Sequence, residues 1–149
     1  MKELLDPYIA AETVERINKL RSDTQPLWGK MNVGQMLSHL QVPLKSALGE
    51  LKLKKSLMGF LFGRIAKKQL FTDKPFKENL PTDPSFKRTG EHDFMIEKNR
   101  LLDLIGRFVA AGPAGVTLEP HPFFGKLTTT EWSTFMWKHL DHHLRQFGV

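Results

Sequence analysis

The last stretch of the chain, residues 128–149, reads TTTEWSTFMWKHLDHHLRQFGV and holds three of the six histidines. Thr128 is followed three residues later by Glu131, which is the capping-box pattern of a helix start. Gly148 is typical of the position just after a helix end. The stretch therefore predicts a helix from Thr128 to Phe147. On a helical wheel one sector of this helix is apolar, and it contains Trp132, Phe135, Met136, Leu140 and Phe147.

Two of the three histidines share that apolar sector. His143 lies near its middle and His139 lies about 40° away, so the pair is one turn apart and faces inward. His142 falls at the edge of the sector and is expected to face solvent, while Lys138 lies on the other side. Inward imidazoles at i and i+4 reach one common point, as in recurrent metal-binding pairs. The alternative is a pair of core histidines, each hydrogen-bonded to a carbonyl or a hydroxyl.

A third metal ligand has three candidates elsewhere in the chain. His39 lies in the middle of a predicted helix, on the flank of the apolar face beside Met36 and Leu40. His92 stands among polar residues before the third helix and is expected to be exposed. His121 lies in a loop, from which it could approach an opening of the bundle. Periodicity favours His39.

Three further amphipathic helices are predicted, at about Ile9–Leu20, Asn32–Leu48 and Asp93–Ala111. In the second, Asn32 and Gln35 fit a capping box, and Gly49 marks the end. Pro43 falls inside this helix and is expected to kink it, because proline lacks an N–H and crowds the preceding turn.

The order of these elements predicts the fold class. Four amphipathic helices and a crossover from Leu51 to Gly90 indicate an all-α four-helix bundle, formed by a single domain over residues 1–149. The first half of the crossover, up to Phe71, is expected to hold one short helix. A connection of this length can run from one end of the bundle to the other, so the second and third helices can be parallel.

Composition excludes several classes of function. The chain has no cysteine, so thiolate zinc sites, iron–sulfur clusters and disulfides are excluded, and a metal needs nitrogen and oxygen ligands. No secretory signal and no apolar run long enough to span a membrane is visible, which makes a cytoplasmic protein the expectation. The net charge is +6, but no nucleic-acid-binding motif accompanies it, so no nucleic-acid partner is expected.

The crossover carries a second hypothesis. Its apolar run from Leu57 to Phe62 is flanked by basic residues at 54, 55, 64, 67 and 68, as in an interfacial helix. The alternative function is therefore a non-catalytic binding protein, or one that uses residues 52–71 to bind a membrane or a partner. The preferred interpretation is a helix packed on the bundle or buried in a homodimer, with no membrane partner.

The chain resembles the DinB/YfiT-like superfamily of metal-binding four-helix bundles, and in particular a small branch of it that has no assigned activity. That superfamily has one histidine on the second helix and an H-x-x-x-H pair on the last. Here MNVGQMLSH, residues 31–39, and HLDHHLRQ, residues 139–146, match these elements. Gln35 stands where many relatives have glutamate, and the long crossover has no counterpart.

The resemblance implies that His39, His139 and His143 hold a divalent metal such as zinc or nickel. It also implies a small-molecule substrate and, as in some relatives, a low-molecular-weight thiol. Three neutral imidazoles leave an open coordination position, which fits a metal-dependent hydrolase or thiol transferase. Gln35 and Gln146 lie about one turn from the ligands and are candidates to orient an imidazole or a bound water. Glu97 interrupts the apolar stripe of the third helix and is either a general base or a paired structural residue.

Overall fold

The computed structural model describes residues 1–54, 57–80 and 84–149. In this part of the chain there is no β-strand, and the structure is all-α, as the sequence predicts. The helices are α1 (Pro7–Lys19), α2 (Val33–Ala47), α3 (Leu57–Leu70), α4 (Phe94–Ala111) and α5 (Thr129–Gln146). Short 3₁₀ turns lie at Pro84–Phe86 and Pro113–Gly115.

The helix starts follow from local hydrogen bonding. Both predicted capping boxes are present, with Asn32 and Gln35 at the start of α2 and Thr128 and Glu131 at the start of α5. Each such cap stabilises the helix by about 1 kcal/mol, because it satisfies backbone N–H groups that have no partner inside the helix. The first helix begins earlier than predicted, because the Asp6 side chain caps it ahead of Pro7.

Contacts between helix ends give the direction of each long helix. The start of α2 lies beside the start of α4, since the Gln35 amide donates to the Gly90 carbonyl at 3.0 Å. Their C-terminal ends also meet, since the Thr117 N–H donates to the Ala47 carbonyl at 2.8 Å. The two helices are therefore parallel, as the length of the crossover allows.

The first and last helices form the other parallel pair. The Leu4 N–H donates to the Ser133 carbonyl at 3.2 Å near the start of both helices. Near their ends Arg16 pairs with Asp141 at 2.8 Å. A Lys98 contact with the Asn18 carbonyl joins the end of α1 to the start of α4, so the two pairs run in opposite directions. The four long helices thus form a bundle in which the connection between the parallel α2 and α4 is the long crossover.

One apolar core fills the space between these helices. Its largest side chains with less than 2% of their surface exposed include Trp132, Phe108, Met36, Leu37, Leu101 and Met136. They come from α2, α4 and α5, in the helical periodicity that the sequence predicts. Burial of each large apolar side chain contributes about 1.5–3 kcal/mol.

The helix in the crossover packs on the bundle through its glycines. A Cβ atom added at Gly59 or Gly63 would collide with the backbone of Phe123, so α3 approaches this loop more closely than a larger residue allows. Leu61 and Ile65 face away and are exposed. Lys55 and the side chains of Leu57, Met58, Phe60, Phe62 and Arg64 lie outside the described residues. Within the described chain, no helix combines the length and the hydropathy needed to cross a bilayer.

Candidate metal centre

Three histidines from two helices converge at one point in the bundle. His39 comes from α2, and His139 and His143 come from α5. One ring nitrogen of each lies within 4.8 Å of the other two. His39 and His143 are buried, at 2% and 7% exposed, whereas His139 keeps part of its surface accessible. The set that periodicity and resemblance select is therefore the set that the fold brings together.

The crossover decides which nitrogen of His39 faces the cluster. The Nδ1 atom lies 2.8 Å from the carbonyl oxygen of Phe86 in the 3₁₀ turn. A carbonyl only accepts, so Nδ1 carries the hydrogen and donates it. In the neutral ring Nε2 then has a free lone pair, which is directed toward His139.

Gln146 determines which nitrogen of His143 carries the hydrogen. The amide nitrogen of Gln146 donates to the Trp28 carbonyl at 2.7 Å, so the amide oxygen faces the histidine. This oxygen lies 2.7 Å from Nδ1 of His143, which must therefore donate. The Nε2 atom of His143 is left unprotonated when the ring is neutral. Hydrogen bonds that fix a tautomer in this way are typical of metal-ligating histidines.

A short contact inside the cluster tests whether a metal fits. Nε2 of His39 and Nε2 of His139 lie 2.9 Å apart. The hydrogen of His39 is already on Nδ1, so two lone pairs at this distance would repel. Either His139 supplies a hydrogen from its Nε2, or a cation lies between the rings. The donor set, three imidazoles with two fixed tautomers, fits a divalent transition metal.

The electrostatics of the cluster favour neutral rings. Burial lowers the pKa of His39, and the hydrogen bond to Phe86 offsets only part of this effect. Burial and the neighbouring imidazoles of His39 and His143 lower the pKa of His139 well below its usual value. Burial lowers the pKa of His143 to about 3. All three rings are thus neutral at pH 7, the form that binds metal ions.

The expectation that His142 faces solvent is wrong. His142 is 8% exposed, and its ring lies 5.9 Å from the rings of Trp28 and Phe76 and 4.9 Å from that of His143. A helical wheel shows only that His142 lies at the edge of the apolar sector of α5. The segment before α2 and the crossover cover this edge, and neither has a periodic pattern that predicts its path.

The two remaining histidines lie outside the cluster. His121 is buried, stacks on Phe124 at 4.7 Å, and accepts the backbone N–H of Phe123 at 3.1 Å through Nδ1. The same atom accepts the Phe124 N–H at 3.2 Å, so both contacts of Nδ1 lie within this loop. His92, expected to be exposed, is half-buried and lies 3.5 Å from the Glu97 carboxylate. It packs there because α2 and α4 begin side by side.

Gln35 makes its contacts at the start of α2. Its side-chain oxygen accepts the Asn32 N–H at 3.1 Å, and its amide nitrogen donates to Gly90 at 3.0 Å. Both ends of the amide thus cap the helix and hold the end of the crossover. A role in orienting a bound water stays a prediction.

Glu97 is buried and is held by neighbouring side chains. Its carboxylate accepts from Gln41 at 2.6 Å and from Arg100 at 3.1 Å. These are the contacts of a paired structural carboxylate, the alternative to a general base.

A buried lysine next to the cluster was not predicted. Lys138 is 5% exposed, although the wheel places it opposite the apolar sector of α5. Its Nζ atom donates to the carbonyls of Leu70, Thr72 and Lys74, at 2.8, 2.6 and 2.9 Å. The acceptors belong to the crossover, so the pattern of α5 alone gives no signal of this burial.

Comparison with known proteins identifies the family. No curated protein and no solved structure matches the chain. The family model described as "Protein of unknown function (DUF1569)" matches residues 5–148, which is nearly the whole chain. The chain therefore belongs to the DUF1569 family.

Proposed function

We propose that this protein binds one divalent metal ion through Nε2 of His39, His139 and His143. The observation that carries the proposal is the convergence of three imidazoles in which two Nδ1 hydrogens are already assigned to Phe86 and Gln146. Buried polar atoms are seldom arranged so that lone pairs meet unless a cation or a proton joins them. Zinc and nickel are proposed from the family resemblance, since imidazole nitrogen binds iron and copper as well.

The proposal extends to a metal-dependent enzyme that acts on a small molecule, by hydrolysis or by thiol transfer. A divalent metal held by three neutral ligands keeps an open position, at which it binds water or a thiol and lowers its pKa. His139 is the least buried of the three residues, so we place the approach of a substrate on its side of the cluster. Phe135 stacks on His139 with ring centroids 5.8 Å apart and gives this side an apolar wall, suited to a small organic substrate.

The placement among DinB/YfiT-like proteins is part of this proposal. It is supported by one histidine on the second long helix, a pair four residues apart on the last, and an all-α bundle. The thiol substrate is proposed from that likeness. A small-molecule partner is proposed on the same footing. A homodimer is proposed from the apolar run of the crossover, and no nucleic-acid partner is proposed, because no nucleic-acid-binding motif accompanies the positive charge.

The metal content of the purified protein tests whether the three histidines bind a metal ion. Protein purified without an affinity tag should contain, or take up from added zinc or nickel, about one equivalent by mass spectrometry. His139→Ala and His143→Ala should lose it. His92→Ala removes a histidine outside the cluster and serves as the matched control. Metal uptake by His143→Ala that is as tight as in the wild type would contradict the assignment.

A second measurement separates an enzyme-type site from a closed structural site. Cobalt(II) bound in place of zinc should show a new sulfur-to-cobalt charge-transfer band when a small thiol is added, because an open position admits the thiolate. An unchanged spectrum at high thiol concentration would contradict thiol transfer, and a spectrum that is also unchanged by added cyanide would contradict an open position.

A further inference from the structure

Lys138 hydrogen-bonds to the backbone of the crossover, although the helical wheel places it opposite the apolar sector of α5. Its buried ammonium group has three hydrogens, and each has a carbonyl acceptor within 2.9 Å, at Leu70, Thr72 and Lys74. A buried ammonium is stable only when its donors are satisfied. The three acceptors lie within five consecutive residues, so the side chain fixes the course of that backbone.

The first acceptor lies at the last residue of α3. The carbonyl of Leu70 is at the C-terminus of α3, where carbonyl groups lack partners inside the helix. A cation is favoured at this end by the helix dipole. Lys138 therefore caps α3 from a different helix, and it directs the chain that follows along the surface of α5.

The chain directed in this way reaches His142, which is the neighbour of His143 in the sequence and in space. The Phe76 ring lies 5.3 Å from Nζ of Lys138 and 5.9 Å from the His142 ring. His142 in turn lies against His143, with ring centroids 4.9 Å apart. Later in the crossover, the Phe86 carbonyl accepts the hydrogen of His39. The crossover thus contacts the cluster directly at His39, and it reaches His143 indirectly, through the ring of His142.

We infer that Lys138 is a positioning residue of the metal centre. Its ammonium group holds residues 70–76 against α5, so that the crossover encloses the His142–His143 side of the cluster and slows the release of the metal. The part of this inference that concerns metal release rests on the proposed function. The part that concerns the crossover rests on the contacts of Lys138 alone.

The test compares Lys138→Met with Lys98→Met. Methionine keeps most of the length and volume of lysine but none of its donors. Lys98 is a matched control, because its Nζ also donates to backbone carbonyls, those of Asn18 at 3.2 Å and Leu20 at 3.5 Å, where the start of α4 meets the end of α1. Should Lys138→Met fail to fold, Lys138→Gln, which keeps two donors on a shorter side chain, takes its place.

Two readouts are measured on each variant. In metal-free protein, deuterium exchange at residues 67–80 should rise about tenfold or more in Lys138→Met, while exchange in α1 and α4 stays as in the wild type. In zinc-loaded protein, release of zinc to a chelator should be about 10–100-fold faster, the range expected when groups around a metal site are disturbed. Lys98→Met should change neither readout.

The two readouts test the two parts of the inference independently. Wild-type exchange at residues 67–80 in Lys138→Met would overturn the inference, whatever the metal does. Faster exchange with unchanged zinc release would restrict Lys138 to shaping the crossover and overturn its role at the metal centre. If the wild type takes up no zinc, the proposed function fails, and the exchange experiment still decides whether Lys138 holds the crossover.

Discussion

The Nε2 atoms of His39 and His139 lie 2.9 Å apart, and His39 has already committed its hydrogen to the carbonyl of Phe86. A lone pair therefore points at a neighbouring imidazole nitrogen in a buried site. This relationship ties three parts of the chain together, since α2 and α5 supply the rings and the crossover sets the tautomer. The contact needs either a hydrogen on Nε2 of His139 or a cation between the rings, and the proposed metal supplies the second.

Gln146→Leu should weaken metal binding while it leaves the three ligands in place. The substitution removes the acceptor for Nδ1–H of His143 and the donor to Trp28, so the ring loses its fixed tautomer and orientation. We expect zinc affinity to fall about 10–100-fold, as measured by competition with a chromophoric chelator. Gln25→Leu, at an exposed glutamine, is the control. Equal affinities in the two variants would show that Gln146 does not orient the ligand.

Gly29→Ala should also weaken metal binding, because an added methyl group would displace the side chain of Gln146. Gly29 has φ +81°, and a Cβ atom added there would lie 2.5 Å from Nε2 of Gln146. Gly49 has φ +74° with no atom within 4 Å of an added Cβ, so Gly49→Ala carries the backbone strain alone. Both variants should lose about 1–2 kcal/mol of stability. Only Gly29→Ala should bind zinc more weakly in the chelator competition. A loss of affinity in both variants, or in neither, would show that the packing of Gly29 against Gln146 does not position His143.

The metal-free protein should lose stability as the pH falls below about 6.5. The unfolded chain binds protons there with an ordinary histidine pKa of about 6.5, whereas the pKa of His143 in the folded protein is about 3. Between these values the unfolded state holds more protons, so the free energy of unfolding decreases as the pH decreases. One such histidine contributes about 1.4 kcal/mol per pH unit, or about 2 kcal/mol between pH 7 and pH 5.

Urea unfolding at pH 7 and pH 5 measures this effect. His143→Gln removes the contribution of this histidine, so the free energy of unfolding should depend less on pH. The substitution should also lower that free energy at both pH 7 and pH 5. A free energy of unfolding that does not change between pH 5 and pH 7 would show that the buried rings are protonated in the folded state.

Glu97→Gln should affect folding and leave the metal site intact. The change removes the charge that pairs with Arg100 and replaces one of the two carboxylate oxygens with an amide donor, so either Gln41 or Arg100 loses its acceptor. A loss of about 1–3 kcal/mol in the free energy of unfolding is expected, with zinc content unchanged. Asp103→Asn, at an exposed carboxylate near Arg107, should change stability by less than about 0.5 kcal/mol. Loss of zinc from Glu97→Gln alone would connect Glu97 to the centre.

The sequence predicts the long helices and the three-histidine cluster because both depend on local periodicity. The two capping boxes set the starts of α2 and α5, and the wheel places His139 and His143 on the inner face of α5. His39 on the flank of α2 follows from the same reasoning with the family resemblance. The burial of His142 and of Lys138 and the contact of His39 with the Phe86 carbonyl were not predicted, and they share one cause. Each depends on the path of the irregular segments at 20–32 and 71–90, which have no repeating pattern.

The path of those segments is set by contacts between residues far apart in sequence. Lys138 is buried because backbone from residues 70–74 meets it, and no property of α5 predicts those acceptors. The spacing of Gln146 on α5 predicts that it lies near His143. Its second contact, with the Trp28 carbonyl, depends on the path of the segment before α2 and is not predicted. The single-domain organisation over 1–149 and the roles of the ligands stay predictions.

The central claim is that one metal ion is bound by Nε2 of His39, His139 and His143. The measurement that tests it most directly is a crystal structure of zinc-loaded protein with diffraction data collected on both sides of the zinc absorption edge. The account predicts one anomalous peak, about 2.0–2.1 Å from each of the three Nε2 atoms. A peak elsewhere, or none in crystals grown with excess zinc, would contradict it.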